Sequence, residues 1–252
     1  EDLAVLDIIS EGRLDLVMGA GYRSVEMQMF GHTLDDRVRL LEEGISFLRS
    51  AWTGEAFEYD GRTIRIRPTP LQPGGPPLKL AGSTPGAARR AARIADGFVP
   101  VDASLWTVYT HECAQLDRDP GPTPSGGGPL FVHVTHDPER DWAAIAPHAL
   151  HETNSYAGWL AELDGARPYS PMDDADQLRA SGLYAVLTPD ECVALIGQQG
   201  GLTLHPLMGG LSPDLAWSSL EMIAAEVLPR LPSCRRAARP PSVRHGHRVV
   251  CS

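Results

Sequence analysis

Apolar positions in this chain alternate between two rhythms. Short continuous apolar runs at 14–18, 78–81, 98–101, 130–135 and 202–204 read as buried strands. Between them, apolar residues recur every three or four positions, as on one face of a helix. Leu3, Leu6 and Ile9 open the chain in this way, and Val38, Leu41, Ile45, Leu48 and Trp52 repeat it until Gly54. Helix starts are marked by small polar caps, several followed by proline. Thr33 has Asp36 three residues on, in the manner of a capping box, and Ser83 or Thr84 precedes Pro85. Asp137-Pro138, Thr188-Pro189 and Ser212-Pro213 repeat the pattern, and a further helix is expected over 105–116. Pro147 should kink or break the helix that carries Trp142, Ile145, Leu150 and Trp159. Residues 57–67 read as a small excursion around the turn Asp60-Gly61, with a half-exposed strand over 63–67. Residues 161–181 show no clear period and are expected to form an inserted loop or lid.

Strand–helix alternation with short buried strands predicts an α/β protein with a parallel sheet. Five strands are countable, whereas a closed (β/α)8 barrel needs eight. The pattern therefore leaves two architectures open: an open sheet, or an incomplete TIM-type barrel with about five of its eight strands. The chain's 252 residues, 42% hydrophobic, suffice for a sizeable core. No apolar run approaches membrane-spanning length, so no membrane partner is expected.

Charge divides the chain unevenly. The net charge is −10, yet beyond Ser233 stand Arg235, Arg236, Arg239, Arg244 and Arg248 without one acid, leaving −15 on the remainder. An acidic body excludes nucleic acid as a principal partner. The expected organisation is one domain over 1–231 and an Arg/Pro-rich, disordered tail over 232–252. The four cysteines show neither zinc-ligand nor disulfide-framework spacing, which fits a reducing, cytoplasmic setting.

Candidate chemistry gathers where strands end. Gly19-Ala20-Gly21-Tyr22 follows the first strand, as a tight turn or as a place where a ligand approaches the backbone. Gly82-Ser83-Thr84-Pro85 joins a strand to a helix, either as ordinary capping or as an anion cradle built from free N–H groups and hydroxyls. Arg37 sits in a first helical turn, where a cation opposes the helix dipole. A bound anion would explain it, and so would an ion pair with Asp36 or Glu42. His133, His136, His148 and His151 lack the carboxylate or thiolate partners of a metal site, and no metal is expected. His205, at the end of the last expected strand, is a candidate pocket residue.

Taken together, three stretches in collinear order resemble the bacterial luciferase-like flavin-dependent monooxygenases, whose members use FMN or F420. They are EDLAVLDIISEGRLDLVMGAGYRSVEMQMFG, DDRVRLLEEGISFLRSAWTGEAFEYDGR and PPLKLAGSTPGAARRAARIADGF, with HPLMGGLSPDLAWSSLEMIAAEVLPRL near the end. The resemblance implies a (β/α)8 barrel with the cofactor at the carboxyl ends of the strands. By position it makes Arg37, Gly82 and Ser83 phosphate contacts, and it sets Ala20, Gly21 and Tyr22 beside the cofactor. His205 and Tyr22 are the candidates near the reacting ring. About three further βα units would precede this chain in such a barrel, by its eight-strand count. Unpaired edges at 14–18 and 202–204 would then invite aggregation or pairing with another chain, a homodimer among the outcomes. The function implied is oxidation of a small organic substrate, through O2 activation by reduced flavin or hydride transfer with F420. The alternative is a non-catalytic flavin-binding or interaction protein.

Overall fold

The computed structural model describes residues 1–123, 128–161 and 169–231. Its elements follow the expected alternation. Helix α1 (Asp2–Ile9) leads to strand β1 (Leu16–Met18), and a short helix α2 (Ser24–Met29) opens two residues after Tyr22, where the sequence suggests none. A 3-10 turn (Leu34–Asp36) runs into α3 (Arg37–Trp52). The hairpin β2 (Phe57–Tyr59) and β3 (Arg62–Ile64) turns on Asp60-Gly61 as expected. Then come β4 (Leu78–Gly82), α4 (Pro85–Ile94), β5 (Gly97–Pro100) and α5 (Ser104–Gln115). The second part comprises β6 (Phe131–Val134), α6 (Pro138–Leu160), α7 (Ala175–Ala180), β7 (Tyr184–Leu187), α8 (Pro189–Gln199) and α9 (Pro213–Met222). The chain is thus α/β, and its non-hairpin strands pair in parallel.

Two parallel sheets form among the described residues, in the orders β1-β4-β5 and β6-β7. In the first, Leu16 lies opposite Leu78 and Leu80 opposite Phe98. Leu78 and Leu80 are buried to 0% and 2% exposure and meet Leu41, Ile45 and Trp52 of α3 and Ala88, Ala91 and Ala92 of α4 in one core. The alanines of α4 have no bulk, which lets α4 lie close to the sheet and to α5. A second core joins Phe131, Trp142, Ile145, Ala149 and Tyr184, and a third Val132, Val134, Cys192 and Val227.

Three sequence expectations are corrected. The fifth parallel strand is β7, not residues 202–204, which form irregular backbone. Tyr184 is buried and its hydroxyl is engaged by Thr153 (3.0 Å) and Glu152 (3.2 Å), whereas Leu204 is 38% exposed. The expected sheet edge at 202–204 is accordingly absent. Second, Pro147 does not break α6, which continues through it. The missing N–H costs one helical bond, but Trp142, Ile145, Ala146 and Ala149 bury the flanking turns, and packing overrides that loss. Third, the stretch 161–181 contains a helix: residues 169–174 return along α6 and α7 follows, while 162–168 lie outside the described residues. The tail 232–252, with Cys234 and Cys251, also lies outside them; Cys113 and Cys192 are buried free thiols. None of the described helices is long and apolar enough to cross a membrane.

The connection rich in proline is tied down by a buried carboxylate. Asp7 of α1 accepts the backbone N–H of Gln72 (2.8 Å) and its side-chain amide (2.7 Å), and that amide also donates to the Leu14 carbonyl (2.9 Å). This brings β4 to β1 and sets the loop ends of both strands side by side.

Candidate functional site

Those ends bound a cavity of about 360 Å³. The β1 end contributes Gly19, Ala20, Gly21 and Tyr22, and the β4 end contributes Gly82, Ser83 and Thr84. Arg37, Val38 and Leu41 enter from α3, Ala87 and Arg90 from α4, and Tyr156 and Leu160 from α6, with Tyr169 beyond it. All six residues expected to contact a cofactor, Ala20, Gly21, Tyr22, Arg37, Gly82 and Ser83, therefore line one cavity.

Each element delivers its residues for a local reason. Thr84, extended at φ −133°, caps α4 by accepting the Ala87 N–H (3.2 Å), with Pro85 as the first helical residue. Capping leaves the Ser83 hydroxyl and the Ser83 and Thr84 amides without a partner among the described residues. The positive end of α4 stands over them. Gly82 is required by close packing: a Cβ there would stand 2.5 Å from the Ala87 Cβ and 3.2 Å from Phe98. Gly82→Ala must push α4 off the sheet, and should lower stability by about 1–3 kcal/mol in urea unfolding. Gly21 has φ +80°, a left-handed conformation that turns the chain from β1 toward Tyr22.

The neighbours of Arg37 rule out its expected ion pair with Asp36 or Glu42. Asp36 is engaged by the Thr33 N–H (3.0 Å) and by Arg39 (2.9 Å), contacts that hold its carboxyl at about 2. Glu42 pairs instead with Arg90 (2.9 Å). Arg37 donates only to the Leu34 carbonyl (3.2 Å) and has no carboxylate partner among the described residues. A half-buried guanidinium thus lines the cavity with no carboxylate to pair its charge among the described residues.

Tyrosines line the cavity as well. Tyr22 and Tyr156 have ring centroids 6.4 Å apart, and Tyr156 stacks on Tyr169 at 4.7 Å and 15°. Burial raises the Tyr22 phenol, helped by Tyr156, and pushes Tyr169 up to about 12, so both are neutral donors near pH 7. Tyr156, Tyr169 and Arg90 escape sequence reasoning because they come from distant segments. The helical period of α6 could have flagged Tyr156, which continues the buried stripe one turn on from Glu152 and Thr153.

His205 does not line the cavity. It sits in irregular backbone, half exposed, with Nδ1 3.9 Å from Glu152 of α6, one helical turn before Tyr156. His133 is buried on β6, and its Nε2 lies 3.0 Å from Asp141. His148 Nδ1 meets the Gly209 carbonyl at 3.1 Å, and His136 meets Glu226 at 2.9 Å. No cluster of three or more potential metal ligands occurs among the described residues.

Parallel α/β architecture with a cationic, glycine-edged cavity at the strand ends defines a class of proteins that bind phosphate-bearing cofactors. Residues 1–201 match the model of the luciferase-like monooxygenases, and the chain belongs to that family. It is similar to an F420-dependent glucose-6-phosphate dehydrogenase of Nakamurella multipartita, 29% identical over 121 residues, covering 46% of this chain and 36% of that one. It is also similar to an F420-dependent hydroxymycolic acid dehydrogenase of Mycobacterium tuberculosis, 32% identical over 130 residues, with 46% and 35% covered. The chain thus aligns with little more than a third of the length of these relatives. Its fold is similar to that of the oxygenating constituent of 3,6-diketocamphane monooxygenase from Pseudomonas putida, solved in complex with FMN. The TM-score is 0.60 at 19% identity, over 91% of this chain and 74% of that one.

Proposed function

We propose that this cavity takes the phosphate end of FMN or F420, and that the chain serves a flavin- or F420-dependent oxidoreductase acting on a small organic molecule. One observation carries the reading: among the described residues Arg37 lines the cavity without a carboxylate partner, while Asp36 and Glu42 are committed to other arginines. An uncompensated guanidinium beside free amides, a serine hydroxyl and a helix N-terminus is the complement of a phosphate. The family's relatives named for F420 and the fold neighbour solved with FMN support the same class of cofactor.

Such a cofactor, when bound, supplies the redox chemistry. The chain's own residues bind and orient. Arg37 and Ser83 would hold the phosphate, and the Gly19–Gly21 backbone permits close approach. The apolar side chains Val38, Leu41 and Leu80 exclude water from the inner wall. Among the described residues no carboxylate, imidazole or thiol lines the cavity, which favours a second reading, a cofactor-binding unit without acid–base groups of its own.

Titration of the chain with FMN and separately with F420, followed by fluorescence, tests the first claim. Saturable binding of one selects the cofactor, and binding of neither overturns the reading. If a bound cofactor turns over no alcohol, aldehyde or ketone, the second reading stands.

A further inference from the structure

We propose that the stacked pair Tyr156–Tyr169 forms a specificity-determining wall that contacts the planar ring of the cofactor, and that Asn154 positions Tyr169 by clamping the backbone at Met172. The inference rests on the cofactor reading above.

The pair lies on the cavity surface, and neither ring belongs to any of the three cores. The two rings are nearly parallel, at 4.7 Å and 15°, closer to parallel than Phe98 with Tyr109 at 31° in the first core. Tyr22 extends the wall from the β1 end, and Trp159 backs Tyr156 edge-on at 5.0 Å and 66°. The Arg23 guanidinium in turn covers Trp159 at 4.5 Å, so the aromatic cluster is braced on its outer side. Flat aromatic surfaces favour offset stacking against a planar conjugated ring. Burial raises the Tyr22 and Tyr169 phenols, so neither adds a charge that would repel an anionic cofactor.

Tyr169 has no helix or strand of its own to hold it. Three residues on, the Asn154 amide donates from Nδ2 to the Met172 carbonyl and accepts the Met172 N–H at Oδ1, both at 2.9 Å. This two-point contact engages both the N–H and the C=O of Met172 and fixes the returning backbone against α6. Met172 also packs on the second core, which anchors the far side of the clamp.

The test is fluorescence titration of the full chain with whichever of FMN or F420 it binds, together with competition by inorganic phosphate. Tyr169→Leu should weaken cofactor binding about tenfold and leave the phosphate competition constant unchanged, because stacking is lost and the anion end is intact. Tyr169→Phe should bind like the parent. Asn154→Ala should weaken the parent several-fold and add nothing in the Tyr169→Leu background, which a merely structural role would not show. Parent-like affinity in Tyr169→Leu overturns the wall alone, as does an equal loss of cofactor and phosphate binding. A parent chain that binds neither FMN nor F420 overturns the cofactor reading, and the wall with it.

Discussion

Arg37→Ala lowers affinity for the phosphate-bearing cofactor by about 10- to 100-fold. A hydrogen bond to a charged group contributes about 1.5–3 kcal/mol, and each 1.4 kcal/mol is a factor of ten. Among the described residues no other unpaired cation lines the cavity. Arg90, the other cation on the lining, is held by Glu42 at 2.9 Å. Free arginine at this position is also unfavourable to the empty fold, since it begins α3, where the dipole is positive. Removal of the side chain should therefore leave stability unchanged or raise it slightly, and that separates a binding role from a structural one. Arg37→Lys should recover part of the affinity, because an ammonium keeps the charge and loses the planar fork. Rising salt should weaken the parent more than Arg37→Ala. Titration at two salt concentrations, paired with urea unfolding, checks all of this. Equal affinity in parent and Arg37→Ala would remove Arg37 from the site.

Asp141→Ala destabilises the second half of the chain by about 2–4 kcal/mol, since a buried charged acceptor is lost and its donors are left unpaired. Asp141 is 5% exposed and joins α6 to β6: Oδ2 meets Nε2 of His133 at 3.0 Å, and Oδ1 accepts from Arg140 at 2.8 Å. Burial works to raise this carboxyl, but hydrogen bonds from Arg140, Thr135 and His133 outweigh it and hold the group at about 2. Burial likewise dominates at His133 and lowers the imidazole, although Asp141 pulls it upward. The pair is therefore a neutral imidazole donating its Nε2–H to a carboxylate, not two full charges.

Both groups make the fold acid-labile, by the same sign. A depressed carboxyl binds fewer protons folded than unfolded, so its contribution is complete above its ordinary value of 3.8 and is lost as pH falls toward about 2. A depressed imidazole acts the same way from its ordinary value of 6.5 downward. Unfolding free energy measured between pH 8 and pH 3 should fall first below about 6.5, with a further loss below about 4. In Asp141→Ala the second loss should be smaller. Stability that is flat from pH 7 to pH 5 would show that His133 is accessible to protons in the folded chain.

How much of the site is readable in the chain depends on how local each interaction is. The cradle at Ser83 and Thr84 is a contiguous run in which a strand, a cap and Pro85 follow one another, so capping rules alone locate it. Arg37 is noticeable because its charge opposes the dipole of its own helix. That it lacks a partner is invisible in sequence, since Asp36 and Glu42 are equally near it and only the fold turns them toward Arg39 and Arg90. The misplaced last strand has a similar cause. Residues 183–187 run directly into the capping box of Thr188 and Glu191, the same grammar as β4 into Thr84-Pro85. The choice between that run and 202–204 is made by Tyr184, whose burial depends on Thr153 and Glu152 thirty residues away.

Sequence by itself determines what period-two and period-3.6 patterning and end-capping encode: a parallel α/β chain, its proline-marked helix starts, and the capped strand-to-helix junction after β4. These are short-range, because one hydrogen bond or one turn of backbone specifies each. Tertiary structure alone decides that α6 runs unbroken past Pro147, that β7 completes the second sheet, and that Tyr156 and Tyr169 join Tyr22 around a single cavity. Those outcomes rest on burial and stacking between segments far apart in the chain, where the free energy belongs to the pair and neither partner announces it.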